Sequence, residues 1–192
     1  FNGVAILSRH PLSDVRRGLP GDDADGQARL IEAVVEGGVP VHVVGLYLPN
    51  GNPAPGEKFD YKLGWMARLE AHVAEALQRE RPLVVCGDYN VIPQPEDAAN
   101  PEAWREDALF RPESRAAYRS LLNLGLTDAL RAVRPHMPPQ PGPGDEVLQV
   151  PGILGARDRD GGRTLVEQPR DGERGGTDAH LGCEGAEARA RP

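Results

Sequence analysis

A carboxylate and an amide lie two positions apart where an apolar stretch of the sequence ends. The stretch PLVVCGDYNVIPQPED (82–97) leads into Asp88 and Asn90 before prolines interrupt it. Side chains two apart in a strand point to the same side, so both groups would face one way at the strand's carboxyl end. A carboxylate there can deprotonate a water, and an amide can donate to an oxygen that gains charge. The pair suits attack of water on phosphorus with a divalent metal; the alternative is an Asx-turn without chemistry.

A second polar group follows another apolar run, in GLYLPNGNP (45–53). Tyr47 lies near the end of its predicted strand, where its phenol could donate to a phosphate oxygen. Asn50 and Gly51 predict a tight turn. The alternatives are a half-buried aromatic residue of the sheet for Tyr47 and an ordinary turn residue for Asn50.

Apolar periodicity and turn residues predict the elements that must position these groups. Continuous apolar runs predict strands over 3–8, 28–35, 39–49 and 82–88, and the two middle strands form a hairpin. Apolar residues three and four apart over 61–80 predict an amphipathic helix. A further helix begins near 113 and closes near Gly125, and a short helical segment stops at Pro135. This order predicts a layered α/β protein whose sheets are covered by helices.

Composition limits the class of protein. The 192 residues predict one domain, and a net charge of -7 provides no overall basic field for nucleic acid or membrane. The two cysteines, Cys86 and Cys183, lie far apart and fit a reducing compartment. Because no apolar run reaches the roughly 18 residues of a membrane span and no signal peptide is visible, we expect a cytoplasmic monomer with no membrane partner.

The composition changes after residue 136. Residues 137–192 hold 11 glycines and 7 prolines in 56 positions and no Phe, Trp or Tyr, whereas the first 136 residues hold all nine aromatics. A Gly plus Pro share of about a third is typical of disorder. We predict a partial α/β domain over 1–136 and a disordered tail over 137–192.

Several longer stretches together resemble the exodeoxyribonuclease III family of the endonuclease/exonuclease/phosphatase superfamily. They are NGVAILSR, GLPGDDADGQARLI, LYLPNGNP, KFDYKLGWMARLEAH, GDYNVIPQPEDAANPEAW and LFRPESRAAYRSLLNLGLTDALR, which follow the family's order from residue 1 to about 136. The resemblance implies a four-layer α/β sandwich of two sheets flanked by helices. It also implies Mg²⁺-dependent hydrolysis of DNA phosphodiesters, with Mn²⁺ as a substitute. The implied substrates are duplex DNA with abasic sites or 3′ ends, in base excision repair.

The resemblance also implies roles for individual residues. Asp88 matches the aspartate that positions or deprotonates the attacking water, and Asn90 matches the asparagine at the scissile phosphate; both are assigned to the metal. Tyr47 matches the active-site tyrosine, and Asn50 is assigned to substrate binding. Further cations could contact backbone phosphates or be ordinary surface charges: Arg9, Arg29, Lys58 and Lys62. Histidines 10, 42, 72 and 136 are interpreted as loop or surface residues.

The chain departs from the family pattern at both ends. The family carries an asparagine and a metal-binding glutamate before the segment that matches Phe1, and a Ser-Asp-His motif near its C-terminus that TDAH (177–180) resembles only loosely. We therefore expect a fragment that is marginally stable, with weak or no nuclease activity. One hypothesis is a frameshifted tail, since a one-base shift lets the codons of Ile153 and Leu154 read Phe-Trp; the alternative is a genuine disordered extension.

Two other functions stay open from the sequence. One is a phosphodiesterase of the same superfamily that acts on a small or lipid phosphate. The other is a non-catalytic DNA-binding remnant, which the missing glutamate favours.

Overall fold

The computed structural model describes residues 3–133 and 164–167. Within them, two sheets form. The larger has the strand order β2-β3-β4-β5, and the smaller pairs β1 with β6. The strands are β1 (Ala5–Ser8), β2 (Leu12–Arg17), β3 (Leu30–Val35), β4 (Val41–Tyr47), β5 (Leu83–Asp88) and β6 (Thr164–Glu167). The helices are α1 (Glu57–Leu77), α2 (Pro112–Asn123) and α3 (Ala129–Val133), with 3₁₀ turns at Pro95–Asp97 and Pro101–Trp104.

The connection from β4 to β5 sets the geometry of the larger sheet. β2, β3 and β4 pair antiparallel, but β4 and β5 pair parallel. Parallel neighbours need a long crossover, and α1 provides it. The carboxyl ends of β4 and β5 therefore lie side by side at one edge of the sheet.

Two apolar clusters hold the layers together. α1 packs on one face of the larger sheet, where Trp65, Leu69 and Val73 are almost wholly buried against Leu30 and Val44. The opposite face packs on β1 through Ile6, Ile31 and Ala33. β3 is buried on both faces, which explains why its sequence is a nearly continuous apolar run.

The predicted α/β class, with a sheet covered by helices, is confirmed. The structure differs from the predicted elements in several places. β2 was not predicted, because its sequence LSDVRR is polar and its pairing shifts register between Ser13 and Arg16. α1 begins at Glu57, before the predicted start, where acidic residues of the first turn complement the helix dipole. β4 ends at Tyr47 rather than at residue 49.

Thr164–Glu167 lie in the predicted disordered tail, yet they form β6 against β1. For these four residues, the strand replaces the predicted disorder. The rest of the tail prediction, with TDAH (177–180), the Ile153 and Leu154 codons and His136, lies outside the described residues. Among the described residues, no helix is both long and apolar enough to cross a bilayer.

Candidate active site

The parallel pairing of β4 and β5 brings Tyr47 and Asp88 together. The register places Tyr47 directly opposite Asp88, at the last residue of each strand. Beyond that pair, the backbone N–H of Leu48 donates to the carbonyl of Asp88 at 2.8 Å. Gly87 permits this close approach: its φ is +136°, and a Cβ there would lie 1.9 Å from the carbonyl oxygen of Leu46. A side chain at position 87 would therefore push the two strands apart.

Asn90 reaches Asp88 through a turn. β5 ends at Asp88, and Asn90 adopts a φ of +46°, in the left-handed region that asparagine tolerates. Its backbone N–H donates to Asp88 Oδ1 at 2.8 Å, and its Nδ2 donates to Asp88 Oδ2 at 3.2 Å and to the Leu48 carbonyl at 2.7 Å. The prediction that Asp88 and Asn90 face the same side of one continuous strand is therefore wrong, because β5 ends at Asp88, before Asn90. The Asx-turn is present, and it holds the amide against the carboxylate.

Asn50 completes a contact chain with these groups. Its Nδ2 donates to Asn90 Oδ1 at 3.3 Å, and its Oδ1 accepts the backbone N–H of Asn52 at 3.1 Å. Asn50 is exposed, whereas Asn90 is buried. The loop after β4 therefore presents an accessible amide next to the buried one.

Arg29 contacts both the ring and the backbone of Tyr47. The guanidinium carbon of Arg29 lies 5.3 Å from the centre of the Tyr47 ring, and Arg29 Nη1 donates to the Tyr47 carbonyl at 3.1 Å. The structure thus places all four predicted site residues at one edge of the sheet. Asp88, Asn90 and Asn50 are linked by hydrogen bonds, and Tyr47 joins them through the strand register.

Lys62 is a site residue whose position the sequence interpretation missed. Its side chain is completely buried, so a contact with DNA phosphates is excluded. Its Nζ donates to the backbone carbonyls of Asn90 at 2.6 Å, Asn50 at 3.1 Å and Ala108 at 3.2 Å. Burial lowers the pKa of Lys62 to about 8, although the carboxylates of Asp107 and Asp88 oppose the shift. In the sequence, the burial of Lys62 could have been recognised from its place on the apolar face of α1, one turn before Trp65 and Met66.

A second buried polar cluster lies between α1 and the sheet. Glu32 Oε2 is 2.9 Å from His42 Nε2 and 2.9 Å from His72 Nε2, and all three residues are buried. The interpretation of these two histidines as loop or surface residues is wrong. Burial alone would raise the pKa of Glu32, but the hydrogen bonds and charges of His72 and His42 outweigh it and hold this pKa below its ordinary value.

The candidate metal ligands at the strand ends are carboxylate and amide oxygens. No group of three or more His, Cys, Asp or Glu side chains within the described parts of the chain could hold a metal ion. A carboxylate oxygen and an amide oxygen are nevertheless ligands that Mg²⁺ accepts, and Mg²⁺ is often bound by one or two carboxylates together with substrate phosphates. The predicted pair Asp88 and Asn90 therefore fits an ion shared with a substrate, but not a closed protein cage.

Fold and site define a layered α/β protein whose polar groups collect at the carboxyl ends of parallel strands, where enzymes of this architecture place their sites. The chain belongs to the endonuclease/exonuclease/phosphatase family, whose pattern matches residues 1–164. That match extends beyond the predicted boundary at residue 136.

Individual relatives are nucleases by name. The chain is 31% identical over 137 residues to an exodeoxyribonuclease of Bacillus subtilis, covering 71% of this chain and 52% of the relative. It is 33% identical over 135 residues to the DNA repair nuclease APEX1 of Danio rerio, covering 70% of this chain and 42% of the relative. The chain thus spans about half the length of these relatives.

Solved structures agree with this family. The 3′-5′ exonuclease NExo from Neisseria meningitidis is similar with a TM-score of 0.65 and 34% identity, covering 71% of this chain and 57% of that protein. An AP endonuclease from Archaeoglobus fulgidus is similar with a TM-score of 0.61 and 34% identity, covering 67% of this chain and 48% of that protein. The expected family resemblance is therefore confirmed.

Proposed function

We propose that this protein hydrolyses DNA phosphodiesters with Mg²⁺, at abasic sites and from 3′ ends, in DNA base excision repair. The observation that carries the proposal is the strand-end register that sets Tyr47 opposite Asp88, with Asn90 and Asn50 hydrogen-bonded beside them. The names of the relatives support DNA as the substrate. A further structure of NExo, described as a 3′ phosphatase, is bound to a product DNA hairpin.

Each side chain has a role that follows from its chemistry. Asp88 orients the attacking water and accepts its proton, because it is the carboxylate at the end of β5. The Tyr47 phenol donates to a phosphate oxygen that gains negative charge, as donors aimed at developing charge do. The exposed amide of Asn50 contacts the DNA, and the buried amide of Asn90 holds the Asp88 carboxylate in place beside the scissile phosphate.

Asp88 and Asn90 are the residues that would hold a magnesium ion. When bound, the ion supplies Lewis acidity to the phosphate and compensates its negative charge. Asn90 can contribute only its Oδ1, since Mg²⁺ takes oxygen ligands and the Nδ2 group donates to Leu48 and Asp88. The Asx-turn fixes both groups before a substrate arrives, which reduces the cost of ordering them.

The substrate class is tested with the 192-residue chain and three substrates in Mg²⁺ buffer. These are a duplex with one abasic site, an undamaged duplex with a recessed 3′ end, and bis-p-nitrophenyl phosphate as a small phosphodiester. We expect weak strand cleavage at the abasic site and weak shortening from the 3′ end, each still faster than hydrolysis of the small diester. The reason is that Asn50 can contribute binding only when the substrate extends beyond the scissile phosphate.

The contrary outcomes identify the other functions. Faster hydrolysis of the small diester than of either DNA would point to a phosphodiesterase of small substrates. Tight binding of the abasic duplex without any cleavage would point to a DNA-binding protein. Either result would overturn the proposal.

A further inference from the structure

Three loops meet at a single buried ammonium group. The loop after β4 contributes the carbonyl of Asn50, the loop after β5 that of Asn90, and the loop before α2 that of Ala108. Lys62 Nζ has three N–H donors, and each of these carbonyls accepts one of them. Since Lys62 is fully buried, no water competes for the same acceptors.

The fit around the lysine stem is tight. Gly51 has a φ of +88°, and a Cβ at that position would lie 2.6 Å from Cδ of Lys62 and 3.2 Å from the Cβ of Ala108. A glycine at the turn therefore lets the loop after β4 close over the lysine. The stem packs against the loop while the ammonium group binds its backbone.

Other bonds join these loops only in pairs. Asn50 bonds to Asn90, the Asn52 side chain bonds to Asp107 and to the backbone N–H of Ala108, and Ile92 N–H donates to Leu109. Without the ammonium group, the carbonyl oxygens of Asn50 and Asn90 would lose this donor in a buried space, which is costly, whereas the carbonyl of Ala108 would keep the Ser114 hydroxyl as its donor. The loops would then separate, and the side chains of Asn50 and Asn90 would move with their backbones.

We infer that Lys62 is a positioning residue of the phosphate site, which holds the backbones of Asn50 and Asn90 in the arrangement that the reaction needs. The inference rests on the proposed function for its catalytic part. Its structural part, the joining of three loops, does not depend on any activity. Lys62 itself touches neither DNA nor metal, because it lies beneath the loops.

The test compares Lys62→Met with wild type. Methionine has a similar length and keeps the apolar packing, but it cannot donate. We expect kcat on the abasic duplex to fall about 10- to 100-fold per folded molecule, as displacements of up to 1 Å do. KM should change less than kcat, because the substitution leaves the surface charges in place and displaces one DNA-binding side chain, that of Asn50. Lys62→Gln, which keeps a donor on a shorter side chain, should recover part of kcat. Arg79→Met, which removes an exposed cation near the end of α1, should leave kcat unchanged.

Hydrogen exchange provides a readout that needs no activity. In Lys62→Met we expect faster amide exchange in 48–52, 88–92 and 107–109, with little change in β3. If wild type cleaves no DNA but these loops loosen, the proposed function fails and the loop-joining role stands.

Two results would overturn the inference. The first is a Lys62→Met variant whose kcat per folded molecule equals that of wild type and whose Tm alone is lower. The second is amide exchange that rises uniformly along the chain rather than in the three loops. If Lys62→Met does not fold, Gly51→Ala replaces it, because the added methyl must displace the lysine stem. Wild-type kcat and loop exchange in folded Gly51→Ala would then refute the inference.

Discussion

Gly87→Ala tests the close approach of β4 and β5, on which the candidate site depends. The added Cβ would lie 1.9 Å from the Leu46 carbonyl oxygen, and real Cβ contacts essentially never fall under 3.0 Å. The strands must therefore separate by about 1 Å, or β5 must change its path. The nearest neighbours are backbone atoms of Leu46, so no side-chain rotation relieves the contact.

Two costs add at this position. A non-glycine residue at φ +136° stores about 1–3 kcal/mol of backbone strain, and overpacking of a tight contact costs about 1–3 kcal/mol. We expect the free energy of unfolding to fall by about 2–6 kcal/mol. A displacement of about 1 Å between Tyr47 and Asp88 should also lower the cleavage rate about 100-fold in molecules that stay folded.

The assay is urea unfolding followed by tryptophan fluorescence, since Trp65 is buried against the sheet. Gly64→Ala is the matched control: it makes the same chemical change on α1, where an added Cβ meets nothing within 4 Å. It should stabilise the protein by about 0.5–1 kcal/mol. If Gly87→Ala matched wild type in both stability and cleavage, the close approach of the strands would be refuted.

Three further predictions concern single side chains. Tyr47→Phe should lower cleavage about 100-fold or more without loss of stability, because it removes only the phenol donor; unchanged cleavage would show that Tyr47 is merely a sheet aromatic. Glu32 has a pKa below its ordinary 4.5, so its stabilising effect is present at neutral pH and is lost as pH falls through the lowered pKa. Glu32→Gln should therefore lower the free energy of unfolding by about 1–3 kcal/mol at pH 7. It should also reduce the further loss of stability as the pH falls below 4.5. The surface variant Glu96→Gln should do neither, and equal pH dependence of stability in Glu32→Gln and Glu96→Gln would count against the cluster. Ser114→Ala should cost about 1 kcal/mol in urea unfolding, because the buried hydroxyl donates to Ala108 at 2.6 Å, and a neutral result would contradict that bond.

Much of the fold could be predicted because its apolar patterns are strong. β3 is a continuous apolar run, and α1 repeats apolar residues on one face, so both elements follow from periodicity. β2 could not be predicted, because its polar residues and its bulge remove the alternation of a half-buried strand. The parallel pairing of β4 with β5 depends on contacts between residues about forty positions apart, which local pattern does not reveal.

The candidate site divides in the same way. Asp88, Asn90, Tyr47 and Asn50 are recognisable because polar residues that follow apolar strands stand out. Lys62 is hidden within a helix, and its role depends on loops distant in sequence that converge on its Nζ. The partnership of His42 and His72 is likewise tertiary, since each bonds to a glutamate on another element.

We propose that the ends of β4 and β5 form a metal-assisted phosphodiester site with Asp88 as its carboxylate. The most direct measurement is the single-turnover rate of abasic-site cleavage in Mg²⁺ and in EDTA. Wild type would be compared with Asp88→Asn, which keeps an oxygen acceptor for the Asn90 N–H, and with Asp23→Asn on the surface. We predict cleavage that EDTA abolishes, that Asp88→Asn lowers at least about 100-fold, and that Asp23→Asn leaves unchanged. Equal cleavage by Asp88→Asn and wild type, or cleavage that persists in EDTA, would contradict the claim.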